Sequence, residues 1–246
     1  MRKKTLKYIF VLVSLLMAVP VGAQTPADST ARAPKSRVRG VQYASREEAA
    51  EAQRRKSVPL FAGASLSGDL AGIVMALVTS YGQFEAAARL NFKERYFPIF
   101  EMGWGLSDKT DDVTMQHFKT NAPYFRIGCD YNVASDKLSG NRIFVGLRYA
   151  FTTFNYDLEG PSLGDPVWGG SIPYSFEGLS VRAQWGEIVF GLEAKIWKIF
   201  HLGWSFRYRA RCSQKAAPVG QAWYIPGYGK NDGSGWGGTF NLIFDI

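Results

Sequence analysis

Few side chains in this sequence are of a type that does acid–base, nucleophilic or metal chemistry, and their spacing limits what they can do. Histidine occurs only as His117 and His201. His117 follows Asp108, Asp111 and Asp112, so a surface lipid hydrolase would use it beside an acid or a serine. No nucleophile is fixed near it by spacing, and a solvated loop histidine is the expectation. The three aspartates lack the ligand spacing of an EF-hand loop, so no metal site and no cofactor are expected. The glycine-rich run from Gly233 to Gly238 has no Gly-Lys-Ser/Thr after it and is not a phosphate loop. Cys129 and Cys212 are expected to be unpaired, small apolar residues. The densest chemistry is cationic: Arg207, Arg209 and Arg211, at every second position.

That spacing identifies the element that carries it. From His201 to Cys212 one parity reads Leu202, Trp204, Phe206, Tyr208, Ala210, Cys212, and the other carries the three arginines. Alternate side chains of a strand point to opposite faces, whereas a helix would scatter the arginines around its cylinder. A strand with one greasy and one cationic face fits a wall with lipid outside and a polar interior. In a soluble sandwich or lipocalin-like barrel the greasy parity would face inward. The many large aromatics on the greasy faces, and the charge on the other parity, argue against that arrangement.

The same period of two recurs from Val58 onward. Strands are predicted near 59–69, 83–92, 96–106, 123–133, 142–156, 182–196, 201–212 and 236–246, with a bulge near Trp185-Gly186. In the first, Phe61, Gly63, Ser65 and Ser67 are assigned inward. The connections alternate between short turns and long loops, as in bacterial outer-membrane barrels. Only closed barrels satisfy every backbone group in lipid, so the fold class is all-β: an eight-stranded antiparallel transmembrane β-barrel. The apolar run Ile73 to Val78, in the first long loop, is expected to extend the strands beside it or to touch another membrane protein.

Ahead of the barrel, Arg2, Lys3, Lys4 and Lys7, an apolar run, and Val21-Gly22-Ala23 form a predicted signal peptide over 1–23. Residues 24–57 read as a basic periplasmic linker with a short helix started by the Ser45–Glu48 capping box. The whole chain carries a formal charge of +8. The predicted signal accounts for four of those charges and the linker for the other four, while the barrel region is balanced. The basic pI of about 9.4 therefore does not indicate a nucleic-acid partner.

An eight-stranded barrel is just wide enough to be filled by side chains. The predicted lumen network is Glu85, Arg89, Glu101, Arg126, Asp130, Arg148, Glu193, Lys195, Arg207, Arg209 and Arg211. Both signs are present, so mutual pairing offsets desolvation. A narrow small-solute or anion channel along the strand-seven arginines is the competing arrangement. Trp168, Trp223, Tyr224 and Tyr228, in long Trp/Tyr/Gly/Pro loops, are the predicted outer binding surface. The expected role is non-enzymatic: a structural or partner-binding outer-membrane protein in contact with lipid and, through its outer loops or periplasmic tail, with envelope proteins.

Several segments also resemble a known family: Arg95-Tyr96-Phe97-Pro98, Lys109 to Val113, Ala122 to Gly128, Asp165 to Gly170 and Phe200 to Trp204. Together they resemble an uncharacterised outer-membrane β-barrel family of the Bacteroidota. The resemblance covers most of the chain from Val58 and implies a small barrel, with a place as an accessory subunit of an envelope assembly. It implies no catalytic residue.

Overall fold

The computed structural model describes residues 36–38, 41–43, 48, 52, 58–134, 140–164, 169–215, 217 and 220–246. The chain divides into two compact units, Met1–Lys56 and Ser57–Ile246. In the first, β1 (Ser36–Val38) pairs antiparallel with β2 (Val41–Tyr43). The predicted signal peptide lies outside the described residues. So does most of the predicted linker helix, of which only Glu48 and Ala52 are described, both helical.

The second unit is a closed antiparallel barrel of outer-membrane type, in the order β12-β3-β4-β5-β6-β7-β8-β9. Its strands are β3 (Phe61–Asp69), β4 (Tyr81–Phe92), β5 (Tyr96–Thr110), β6 (His117–Asn132), β7 (Arg142–Gly164), β8 (Ser171–Trp197), β9 (Phe200–Lys215) and β12 (Ser234–Asp245). Two short strands, β10 (Tyr224–Ile225) and β11 (Gly229–Lys230), form a hairpin between β9 and β12. Helix α1 (Leu70–Val78) joins β3 to β4. No helix among the described residues is long and apolar enough to cross a membrane, which does not bear on a barrel that crosses with strands.

Parity places the side chains as the alternation requires. Leu147 is 65% exposed on the outside and Arg148, its neighbour, 5% exposed on the inside. Phe84, Phe100, Met102, Trp104, Ile127, Phe190 and Phe206 are likewise exposed, while Glu101, Arg126 and Glu187 are buried. This pattern holds only for the half of the barrel nearer the short turns. Toward the loop end it inverts. Phe118, Tyr156, Leu158, Val181, Ala183 and Trp185 are buried inside, and Asp108, Lys119, Asn155, Glu159 and Arg182 are exposed outside. The barrel therefore has an ionised interior under its greasy belt and an ordinary apolar core above it.

The inversion explains why the predicted strands end too early. β5 and β6 run on to Thr110 and His117, and β7 and β8 form a ribbon reaching Gly164 and Ser171. These extensions have no greasy outer face, so the lipid-facing signal stops before the ladder does.

Three local expectations are corrected. Phe61 faces outward, 53% exposed, because the β3–β4 register shifts between Phe61 and Gly63, where Gly63 takes φ 133°. The run Ile73 to Val78 is helical rather than a strand extension. The irregularity near Trp185 is a shift between Gln184 and Trp185 against Ser213 and Arg211, so the extra residue is Cys212, on β9.

Candidate functional site: the barrel interior and its loop plug

Eight strands bring residues far apart in sequence onto one interior surface, and the ionised ones fall into two groups. In the middle, Arg126 is fully buried. Its guanidinium donates to Glu85, to Glu101 at 3.3 Å and to Glu187 at 3.0 Å. Arg148 donates through two nitrogens to Asp130, at 2.7 and 2.9 Å, and to Glu101 at 3.1 Å. Arg207 joins Glu101 at 2.8 Å and Glu85 at 3.0 Å. Arg209 lies 3.5 Å from Glu187. The group thus sets four arginines against four carboxylates, and the Tyr124 hydroxyl donates to Glu85 at 2.8 Å. Such mutual pairing is what makes buried charge tolerable, since each ion left alone would cost several kcal/mol.

The second group closes the turn end. Arg89 donates to Glu193 at 3.0 Å, and Arg142 donates to Glu193 at 2.7 Å and reaches Glu94 and Asp245, each at 3.3 Å. His201 lies between Glu193 and Asp245, each ring nitrogen 3.1 Å from a carboxylate oxygen. The sequence puts His201 at the first residue of the predicted strand 201–212, beside a periplasmic turn; in the structure it is fully buried in β9. Glu193, His201 and Asp245 are the one group among the described residues with a metal-like arrangement. Arginines already occupy both carboxylates, so a divalent cation would add charge where charge is matched.

Nine of the eleven predicted lumen residues meet inside. Lys195 does not: it is exposed beside the turn, where the β8–β9 register shifts. Arg211 sits above the network, half-buried, donating to Asn231. Glu187 in the central group, and Glu94, Arg142, His201 and Asp245 at the turn end, were not in the predicted network. The last four stand at or beside predicted strand ends, where turn and lumen parity look alike in sequence. The interior retains a cavity of about 50 Å3, room for a few waters.

The loop between β9 and β12 covers the network from the loop end. Ala222, Tyr224, Ile225 and Tyr228 are buried among Phe118, Tyr124, Tyr156 and Trp185. Two interior arginines hold its backbone: Arg126 donates to the Gly227 carbonyl and Arg209 to the Tyr228 carbonyl, both at 2.7 Å. At Gly227, with φ 80°, any Cβ would run into the Tyr124 ring. Burial pushes the Tyr224 hydroxyl up to about 12. Tyr224 and Tyr228 are therefore plug residues and not an exposed binding surface; the loop is apolar because it fills the mouth. Trp223 is half-buried and borders a cleft of about 320 Å3 with Lys109, Gln116 and Asp232. Trp168 lies outside the described residues.

His117 is cross-strand to Thr110, whose hydroxyl is 3.0 Å from Nδ1, and its Nε2 is 3.5 Å from Asp108. The row resembles a nucleophile–base–acid series, but Asp108 is 62% exposed and His117 36%. Asp111 does not join it in an acidic cluster. Its carboxylate accepts the N–H groups of Thr114 and Val113, which hold it below the usual carboxylate range.

A protein-family model described as "Domain of unknown function (DUF6048)" matches residues 5–246. No curated protein matches the chain. Among solved structures, the crystal structure of Neisserial surface protein A (NspA) is similar at 10% identity. The match covers 74% of this chain and 93% of that one, with a TM-score of 0.42.

Proposed function

The chain belongs to the family described as domain of unknown function DUF6048, and we propose that it is a non-enzymatic outer-membrane barrel serving as a structural or partner-binding component of the cell envelope. The observation that carries this is the double filling of the bore. Paired ions occupy the middle of the barrel, and a folded hairpin, anchored by Arg126 and Arg209, occupies the loop end. A conducting pore needs a continuous wet path, and an eight-stranded bore filled this way leaves none wide enough for a hydrated ion. Export would depend on the N-terminal signal over 1–23.

Among the described residues, the barrel offers partners its loop end; the basic segment over 24–57 is the other contact surface of this proposal. The β7–β8 ribbon projects past the last β6 and β9 pairs, at Glu159 and Arg182, and exposes Ile172. Envelope proteins are the expected partners. Affinity purification of the full-length chain from native membranes tests this. A partner that is lost when residues 160–175 are replaced by a short turn supports it; an unaccompanied barrel opposes it.

The His117 row is no alternative centre under this proposal, because its exposed, solvated groups lack the desolvation that activates a nucleophile. Lipid cleavage by the purified chain that disappears in His117→Ala would refute the non-enzymatic assignment.

A further inference from the structure

β3 ends at Asp69, but its two neighbours run on. β12 continues from its Asn241–Asp69 pair out to Ser234, and β4 continues from its Gly68–Ala86 pair out to Tyr81. Beyond those pairs no strand bridges β12 and β4, and α1 takes the place of the missing ladder. A nine-residue helix rises about 13 Å, and 81–85 of β4 covers about the same height as an extended strand. Asp69 fastens both parts. Its carboxylate accepts the N–H groups of Ala71 and Gly72, at 3.0 and 3.2 Å, and that of Phe240 on β12 at 3.2 Å.

Gly82 decides on which side of the wall the helix lies. It has the parity of Phe84, Ala86 and Ala88, which face outward, and any Cβ on it would collide with the backbone of Ala76. The helix therefore rests against the exterior of β4 and not over the bore. Gly72, Ile73 and Ala76 turn toward the wall, buried or half-buried, while Leu77 is 78% and Val78 50% exposed, with Leu70, Val74 and Met75 beside them.

None of the residues Leu-Ala-Gly-Ile-Val-Met-Ala-Leu-Val is polar or charged. A helix apolar on every side belongs in apolar surroundings. One lying along the water–lipid plane would carry a charged face, and a protein-docking face would be enriched in aromatics and arginine. At its foot and on the β12 side the surroundings match the first case: Phe84, at the foot of the helix, pairs with Trp104, and Trp236, on β12 beyond the Asn241–Asp69 pair, is 79% exposed. On the β5–β6 side Ala76 and Thr79 border a cleft with Leu106, Asp108, Lys119 and Asn121.

We propose that α1 is seated in the outer-leaflet lipid, its Leu70, Val74, Leu77 and Val78 face against acyl chains, so that lipid and helix together seal the part of the wall that lacks a strand. This rests on the membrane placement given under Proposed function. The test uses the full-length chain with Cys129→Ala and Cys212→Ala, reconstituted in phospholipid vesicles. A single nitroxide is attached through Leu77→Cys, through Leu147→Cys on the belt, or through Val113→Cys at a loop tip. Collision with oxygen and with a neutral nickel chelate is then compared. The expected result is that Leu77 matches Leu147, with oxygen strongly preferred. Nickel preference at Leu77 as at Val113 places the helix in water and overturns the proposal. Shielding of Leu77 from both reagents means that a second copy covers it, which also overturns it. Nickel preference at Leu147 takes the barrel itself out of lipid and removes both proposals; preference for oxygen there and nickel at Leu77 removes only this one.

Discussion

Glu101 is 1% exposed and receives Arg126, Arg148 and Arg207. Its neutralisation would leave three buried guanidiniums one counter-charge short. We expect Glu101→Gln to lower unfolding free energy by about 3–5 kcal/mol, read by urea titration of tryptophan fluorescence in detergent. Glu94→Gln should cost much less, because Glu94 keeps contact with water and Arg142 has two other carboxylates. Tyr224 tests the plug through pH. Its folded value of about 12 lies above the ordinary 10.0, so the unfolded chain loses its proton first. The associated stability is complete below pH 10 and falls as pH rises from 10 toward 12. The full loss is about 3 kcal/mol at 1.36 kcal/mol per pH unit. Tyr224→Phe should remove that part of the alkaline dependence of unfolding and leave the neutral-pH value nearly unchanged.

Among the elements, α1 and the β10–β11 hairpin are each held by a close approach that only glycine permits. Gly82→Val would drive Cβ into Ala76 and push the helix off β4; overpacking of this kind costs about 1–3 kcal/mol. Ala86→Val, two positions along the same exposed face of β4, should cost almost nothing. Proteolysis within 70–80 should accelerate in the first variant only. The wall strands themselves are specified by alternation, and every one of the eight was legible because apolar residues at every second position admit no other period. Their loop-end halves were not legible. There the outward face is polar and the inward face apolar, so Phe154, Tyr156 and Leu158 sit on the parity that carries Arg148 lower down the same strand. α1 was also missed, because a short apolar run has no period that separates helix from strand; the Asp69 cap was its one sequence signal.

For the molecule as a whole, the filled bore makes a prediction about transport. Planar bilayers containing the full-length chain should show no conductance steps. Excision of residues 221–232, closed by a glycine-serine link, removes the plug but leaves the charge network in place. It should then produce small, brief openings. Steady conductance by the intact chain would mean that the hairpin does not occupy the mouth. The division into an ionised lower interior and an apolar upper core is itself a whole-molecule property. On the β5–β7 side it places the lipid boundary near Trp104, Pro123 and Phe151, where exposed outward residues change from apolar to polar, whereas on the α1 and β12 side apolar exposure continues to Val78 and Trp236.

The sequence alone determined the barrel, its strand count, the lipid-facing parity and nine of the eleven lumen ions, because lipid outside and charge inside impose a strict two-residue period wherever the wall is in membrane. Only the tertiary structure decided which ions pair and that Glu187, Arg142 and His201 join them. It also decided that Tyr224 and Tyr228 turn inward as a plug and that a helix completes the wall. Those outcomes depend on which segments meet across the closed barrel, and neither local period nor residue type encodes contacts between strands that are distant in the chain.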